Sequence, residues 1–244
     1  MDTLLIDIGN SNTDFVEINS KPRTNDTLNS PHIMRSIPTD SISTTQINKW
    51  ATTYKQVIIT SVVPSLSDKF KRHPNCLLIS HENIPLIKLN LKNPSQVGAD
   101  RIVASLAAYH RYKQPCLIVD SGTALTFCLI DEKGIYQGGT IFPGMKISSK
   151  ALNLYTAKIP LIHVNKTKTI LGKTTKEAVE NGLYWGYIHL INGLIKSYKN
   201  IHPNIKIVGT GNGLSILLDQ LNIDDYDPSL IFKGLDIIHS HINN

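Results

Sequence analysis

One internal repeat constrains the fold of this chain more than any other feature of its sequence. The stretch at 4–18 reads LLIDIGNSNTDFVEI, and the stretch at 116–130 reads CLIVDSGTALTFCLI. Each begins as an apolar strand, turns through Asp-x-Gly and small or polar residues, and continues into a second apolar strand. Because a repeat displaced by about half of the chain indicates a duplicated unit, we expect two related lobes.

Apolar stretches bounded by turn residues predict the strands. They lie at 3–8, 57–63, 76–79, 116–120, 124–131 and 204–209. Helical spacing predicts a helix in GADRIVASLAAYHRY (98–112). Its buried stripe is expected to contain Ile102, Val103, Leu106, Ala107 and His110. Strands and helices mixed along the whole chain indicate an α/β protein.

The Gln114-Pro115 step interrupts the helical pattern and predicts a boundary between an N-terminal lobe, 1–115, and a C-terminal lobe, 116–244. The stretch at 19–48 is rich in Ser, Thr, Asn and Pro, which predicts irregular surface or an excursion between strands rather than a linker between modules. A second, longer helix is expected from Thr174 to Tyr198. Its apolar residues occupy more than one face, which fits either a central helix or a helix covered by a second subunit.

Charge and hydropathy exclude few classes of protein but favour a cytoplasmic one. The 244 residues carry a net charge of +6, but the lysines are dispersed, so we expect no nucleic-acid partner. No apolar run approaches the roughly 20 residues of a membrane span. The N-terminal sequence lacks the basic region and cleavage site of a signal peptide.

The two Asp-x-Gly turns have the composition of phosphate-binding loops. A glycine there permits backbone angles closed to other residues. The following amides and hydroxyls can face phosphate oxygens, while the carboxylate can hold a hydrated cation. A tight hairpin explains either turn taken alone. Two copies, one in each lobe, favour a nucleotide site of the kind found in actin, hexokinase and Hsp70-like ATPases.

Two further segments are candidates for the same site. VGTGNG at 208–213 follows a predicted strand, and we expect a helix to follow it, with its N-terminus behind an anionic ligand. Asp100 and Arg101 open the helix predicted at 98–112. An acid in a first turn complements the helix dipole without any further role. Its position between the two turns makes Asp100 a candidate general base.

The order of six segments resembles the type III pantothenate kinases of the acetate and sugar kinase, Hsp70 and actin superfamily. The segments are DIGNS (7–11), VGADR (97–101), DSGTALTF (120–127), GGTIFPGM (138–145), GKTTKEAVENG (172–182) and VGTGNG (208–213). The resemblance spans essentially the whole chain. It implies duplicated ribonuclease H-like (actin-like ATPase) lobes, each a mixed sheet flanked by helices, with the active site in the cleft between them. It also implies ATP-dependent phosphorylation of pantothenate to 4'-phosphopantothenate, the first step of coenzyme A biosynthesis.

The same resemblance implies a role for particular residues. ATP would be bound by Asp7, Ile8, Gly9, Asn10, Ser11, Asn12, Thr13, Asp14 and Thr123. Pantothenate would be bound by Gly98, Ala99, Asp100, Arg101 and Thr175, with Asp100 accepting the hydroxyl proton. Asp120 would bind a monovalent cation, K⁺ or NH₄⁺, and Asp7 would lie near Mg²⁺. Thr175 would reach the substrate across the interface of a homodimer.

Two positions depart from the family pattern. Leu91 stands where an aromatic residue is usual, and we expect it to alter pantothenate affinity. Asn212 replaces a glycine, but asparagine tolerates unusual backbone angles, so we expect the turn to persist. The residues leave three alternatives open: a non-catalytic, nucleotide-binding regulatory relative, a sugar or acetate kinase of the superfamily, and a basic nucleic-acid-binding module.

Overall fold

The computed structural model describes residues 3–18, 35–84 and 86–243. These residues form two compact units. The first contains the described residues up to Arg111 and those from Ser229 onward, and the second is Tyr112–Pro228. The sequence predicted one division near residue 115, with all later residues in the second lobe. The last helix instead belongs to the first unit, because it packs against the first sheet.

The described residues contain eleven strands and six α-helices. The strands are β1 (Thr3–Ile8), β2 (Asn12–Ile18), β3 (Arg35–Pro38), β4 (Gln56–Ser61), β5 (Cys76–Leu78), β6 (Lys88–Leu89), β7 (Cys116–Ser121), β8 (Ala124–Ile130), β9 (Ile135–Pro143), β10 (Lys206–Thr210) and β11 (Asp225–Tyr226). The helices are α1 (Thr44–Thr53), α2 (Pro64–Phe70), α3 (Ala99–Tyr112), α4 (Met145–Tyr155), α5 (Thr175–Ile201) and α6 (Leu230–Ile242). No helix in these ranges is both long enough and apolar enough to cross a membrane.

The sheet of the first unit has the strand order β3-β2-β1-β4-β5. Its central strand β1 is antiparallel to β2 and parallel to β4. Leu4, Ile6 and Ile8 of β1 share one apolar core with Trp50 of α1 and Phe70 of α2. Helix α6 also packs against β1. The continuous apolar run of β1 is therefore explained, since both of its faces are buried.

The second unit repeats the central arrangement of the first. Its strands lie in the order β11-β10-β7-β8-β9, with β7 antiparallel to β8 and parallel to β10. Asp7 and Asp120 are each the next-to-last residue of the corresponding strand, β1 or β7. Helix α5 covers one face of the second sheet, where apolar side chains of both elements form the core. The duplication predicted from the sequence is confirmed.

The structure confirms the two helices predicted from the sequence and corrects three other predictions. The two predicted helices are α3 and α5, and Thr174 caps α5 by accepting the amide hydrogen of Glu177. His110 is exposed rather than part of the buried stripe. The prediction of irregular surface at 19–48 was wrong for 35–38 and for α1, while 19–34 lie outside the described residues.

The third correction concerns the segment that follows β10. No α-helix begins there, and the chain forms only a short 3-10 turn at Asn212–Leu214. Leu214 turns into the core of the second unit at this point. After the glycine-rich loop, the apolar residues therefore re-enter the core without forming an α-helix. The expected helix N-terminus behind a ligand is absent from this segment.

Candidate active site

The loop between β1 and β2 presents polar side chains on a braced backbone. Asn10, Ser11 and Asn12 are exposed, whereas Ile8 and Thr13 are buried. The Gly9 amide donates to the carbonyl oxygen of Asn12 at 3.0 Å. An added Cβ at Gly9 would lie 3.0 Å from that same oxygen, so glycine permits the turn without strain. The loop can thus offer amides and hydroxyls to an anion.

Thr39, just beyond β3, holds this loop in place. Its hydroxyl donates to the carbonyl oxygen of Gly9 at 2.7 Å, and its amide donates to that of Ser11 at 3.0 Å. The Thr13 hydroxyl lies 3.0 Å from the Thr39 hydroxyl. The side chain of Thr13 therefore supports the loop from below. The sequence did not single out Thr39, which falls within a polar stretch read as irregular.

Asp7 is oriented by the neighbouring strand. The Thr60 hydroxyl on β4 donates to Asp7 Oδ1 at 2.7 Å. Asp14 of β2 lies directly opposite Asp7 on the other side. Since residues opposite one another in a sheet project from the same face, Asp14, Asp7 and Thr60 form one row of oxygen-bearing side chains. Asp7 and Asp14 were predicted as site residues from the sequence, whereas Thr60 was not.

The segment before α3 holds Asp100 in a tight turn. The Arg101 amide donates to Asp100 Oδ1 at 2.8 Å. A Cβ at Gly98 would lie 2.3 Å from the same oxygen, so only glycine leaves room for the carboxyl group. Burial raises the pKa of Asp100, and the hydrogen bond and charge of Arg101 only partly oppose that rise. A raised pKa makes the carboxylate a stronger proton acceptor.

Val62 connects the Asp100 turn to the first loop. Its amide donates to the carbonyl oxygen of Ile8 at 3.0 Å. Its Cγ1 atom lies 3.6 Å from the position that a Cβ at Gly98 would occupy. Within the first unit, the structure therefore brings together two segments, 7–14 and 98–101, that are distant in the sequence.

In the second unit, three glycines surround the loop at 120–123. A Cβ at Gly144 would lie 2.4 Å from the carbonyl oxygen of Gly122, and one at Gly211 would lie 2.3 Å from Asp120 Oδ1. Gly211 also has a φ of 81°, which disfavours other residues. A Cβ at Gly213 would lie 2.5 Å from Ser121 Oγ. The GGTIFPGM and VGTGNG segments thus converge on Asp120 and its loop.

Tyr187 of α5 fixes the turn that supports Thr123. Its hydroxyl donates to the carbonyl oxygen of Pro143 at 2.6 Å and lies 2.7 Å from Ser148 Oγ. The next residue, Gly144, donates its amide to the carbonyl oxygen of Thr123 at 3.0 Å. The sequence placed Tyr187 among the apolar residues of α5 and gave no sign of this role. Thr175 lies at the exposed first turn of the same helix.

Two units that each carry a strand–Asp-x-Gly–strand hairpin beside a parallel strand define the actin-like ATPase and sugar kinase fold. A Baf family protein from Campylobacter jejuni shares this fold with a TM-score of 0.64 and 23% identity, covering 99% of this chain and 100% of its own. An inorganic polyphosphate/ATP-glucomannokinase from Arthrobacter sp. strain KM gives a TM-score of 0.52 at 12% identity, covering 98% of each chain.

Sequence relatives narrow the class to one family. The family model described as type III pantothenate kinase matches residues 3–197. A type III pantothenate kinase from Persephonella marina is 36% identical over 260 residues, covering 98% of this chain and 98% of its own. The chain belongs to the type III pantothenate kinase family.

The raised pKa of Asp100 predicts that Asp100→Asn is more stable than the wild type at neutral pH. In the unfolded chain an aspartate titrates near about 3.9. Between that pH and the raised folded-state pKa, the native state keeps a proton that the unfolded state has lost, so stability falls as pH rises through this range. Above it the loss is complete. Asparagine keeps an oxygen for the Arg101 amide and buries no charge.

Urea unfolding of both proteins at pH 8 and at pH 4 measures this difference. The variant should unfold at a higher urea concentration than the wild type at pH 8, and the two midpoints should converge at pH 4. The comparison at pH 4 is the internal control, because the predicted difference in stability shrinks as the pH falls towards the pKa of an unfolded aspartate. A variant less stable than the wild type at pH 8 would contradict the raised pKa of Asp100.

Proposed function

We propose that this protein transfers the γ-phosphoryl group of ATP to the hydroxyl group of pantothenate, giving 4'-phosphopantothenate. Its membership of the type III pantothenate kinase family, over residues 3–197, is the observation that carries the proposal. Relatives of that name match nearly the whole chain, at 98% and 96% coverage. The product is the one with which coenzyme A biosynthesis begins.

The first loop has the residues to bind the triphosphate. Phosphoryl transfer needs little covalent chemistry and depends on positioning and charge neutralisation. The exposed side chains of Asn10, Ser11 and Asn12, with the amides of the turn, supply donors for phosphate oxygens. A magnesium ion bound with ATP neutralises part of the phosphate charge, and Asp7, oriented by Thr60, is the residue that would hold it. Thr123 is proposed as an ATP ligand on the family resemblance alone.

Asp100 acts as the general base in this proposal. It takes the proton of the pantothenate hydroxyl as that oxygen attacks the γ-phosphorus, and Gly98, Ala99 and Arg101 line the substrate around it. Burial raises the pKa of Asp100, which makes its carboxylate a stronger proton acceptor. The Arg101 amide fixes one carboxylate oxygen and leaves the other for the substrate.

A coupled assay with ATP and pantothenate, glucose or acetate tests the proposed function. Only pantothenate should support turnover, and Asp100→Asn should lower kcat by about 100-fold or more, since an amide cannot accept the proton. Affinity for a fluorescent ATP analogue should stay within a few-fold of the wild type and serves as the folding control. Turnover with glucose or acetate instead would favour another kinase of this fold, and binding without turnover would favour a regulatory relative.

Asp120 is the proposed ligand of a monovalent cation. Asp120 Oδ1 and the carbonyl oxygen of Ser121 both border the space that a Cβ at Gly211 would fill, at 2.3 and 2.7 Å from it. The glycine thus leaves an oxygen-lined cradle at the second loop. Within the described residues, no group of three or more His, Cys, Asp or Glu side chains could hold a metal ion. One carboxylate with neutral oxygens provides a single negative charge, which balances a singly charged cation.

Turnover should therefore require potassium or ammonium in addition to Mg²⁺. Without a cation beside it, the Asp120 carboxylate would repel a phosphate group brought near it, because like charges at short range interact strongly. Replacing KCl by N-methylglucamine chloride at constant ionic strength should abolish most activity, and adding back K⁺ or NH₄⁺ should restore it. Full turnover in N-methylglucamine or sodium alone would remove the cation from the mechanism.

We also propose that the protein is a homodimer in which α5 contacts a second subunit. Its own unit buries Tyr187, Ile188, Ile191 and Ile195 of α5, and several other apolar side chains of the helix are only partly buried. The small residues Ala178, Gly182 and Gly186 nevertheless leave one face of the helix exposed. Large apolar side chains of α4 and the following segment are exposed as well: Leu154 by 74%, Tyr155 by 83%, Leu161 by 58%, Ile170 by 63% and Leu171 by 82%. Five large apolar side chains exposed within the 18 residues 154–171 are more than scattered surface residues would explain, which favours an interaction surface.

Gly186→Arg should convert the dimer into a monomer without unfolding it. A Cβ at Gly186 meets no atom within 4 Å, so the arginine has room in a single subunit but none against a partner. Light scattering at micromolar concentration measures the mass. Thr53→Arg, at the exposed end of α1, is the matched control and should remain dimeric. A monomeric wild type with full activity would overturn the proposal.

Subunit mixing tests whether Thr175 serves the partner's active site. Asp100→Asn and Thr175→Val should each be nearly inactive alone. After the two variants are refolded together, each heterodimer should contain one site with both native residues, so part of the wild-type activity should return. Mixtures no more active than the separate variants would mean that Thr175 acts within its own subunit.

A further inference from the structure

The Thr126 hydroxyl is, among the described residues, the buried side-chain oxygen that lacks a hydrogen-bond partner. Thr126 lies on β8 and is 9% exposed. Buried hydroxyls in native proteins are nearly always paired, so an exception calls for a ligand or another explanation. Valine would suit the strand equally well by shape, because it is branched at the same carbon. The presence of a hydroxyl therefore needs a chemical reason.

Thr126 lies next to the proposed cation ligand. The register of β7 and β8 puts it directly opposite Asp120, so the two side chains project from the same face of the sheet. The neighbours Leu125 and Phe127 point into the core beneath α5, as Val119 does on β7. Thr126 and Asp120 must therefore face away from that core, on the opposite side of the sheet.

The side chains beside Asp120 differ in charge from those beside Asp7 in the first unit. There, Asp7 lies between Asp14 on the antiparallel strand and Thr60 on the parallel strand. In the second unit, Asp120 lies between Thr126 and Thr210 in the same positions. A threonine thus replaces the second acid, which leaves one negative charge among neutral oxygens. Within this row, the single carboxylate carries the charge that balances one monovalent cation.

We propose that the Thr126 hydroxyl is a ligand of the monovalent cation at Asp120. This inference rests on the cation site of the proposed function and adds a residue to it. The hydroxyl oxygen offers its lone pairs to the cation, and the Asp120 carboxylate supplies the charge. The absence of a protein partner for Thr126 is then explained, because the cation occupies the place that such a partner would take.

Cation binding measured without turnover tests the assignment. Thermal unfolding is followed while KCl replaces N-methylglucamine chloride at constant ionic strength, with and without Mg·ADP. The wild type and Thr126→Ser should be stabilised by K⁺, with similar titration midpoints. Thr126→Val should need at least about ten times more K⁺, and Asp120→Asn should show no response. In N-methylglucamine alone, Thr126→Val should be at least as stable as the wild type, since its side chain leaves no hydroxyl unpaired.

Two outcomes would overturn the inference: a Thr126→Val midpoint equal to that of the wild type, or a wild type that does not respond to K⁺. If Thr126→Val does not fold, Thr126→Ala provides the same comparison. A different result would contradict the proposed function, namely a wild type that does not phosphorylate pantothenate at saturating K⁺. Suppose that the wild type has no turnover but is stabilised by K⁺, and that Thr126→Val loses this stabilisation. The kinase activity would then be rejected, and Thr126 would still be assigned as a cation ligand.

Discussion

The second unit depends on a close approach of three backbone segments around Asp120–Thr123. Gly144, Gly211 and Gly213 each lie where a Cβ would come within 2.6 Å of an atom of this loop. A side chain at any of them would push the loop away from the end of β7. Glycine in the GGTIFPGM and VGTGNG segments is thus a steric requirement of one site, although the segments are far apart in the sequence. The convergence explains why these motifs occur together.

The first unit positions its equivalent loop with hydroxyl groups instead. Thr39 bonds to Gly9 and Ser11, and Thr60 bonds to Asp7. These contacts are directional, so they fix the orientation of carbonyl and carboxylate oxygens as well as the path of the chain. The two hairpins therefore share a backbone plan, and they differ in what holds each of them. A duplicated fold leaves such supporting residues free to diverge as long as the loop geometry persists.

The spacing of apolar residues was sufficient to predict those strands and helices that bury a regular apolar face. The paired hairpins, α3 and α5 were predicted because apolar residues recur there at strand or helix spacing. Helix α1 was missed, since only Ile47, Trp50 and Ala51 of its ten residues are buried and the remainder are polar. Thr39, Thr60 and Tyr187 were missed for another reason. Their partners lie 30, 53 and 44 positions away, and no local pattern records such contacts.

The row of side chains across each sheet connects the duplication to the chemistry. Asp7 and Asp14 place two carboxylates at the first loop, where the proposed function needs a doubly charged ion beside the phosphates. Asp120 and Thr126 place one carboxylate and one hydroxyl at the second. The proposed divalent ion would thus face two carboxylates at the first loop, and the proposed monovalent cation would face one at the second. In the proposed function, the change from acid to threonine at this strand position accounts for the different charges of the two cations.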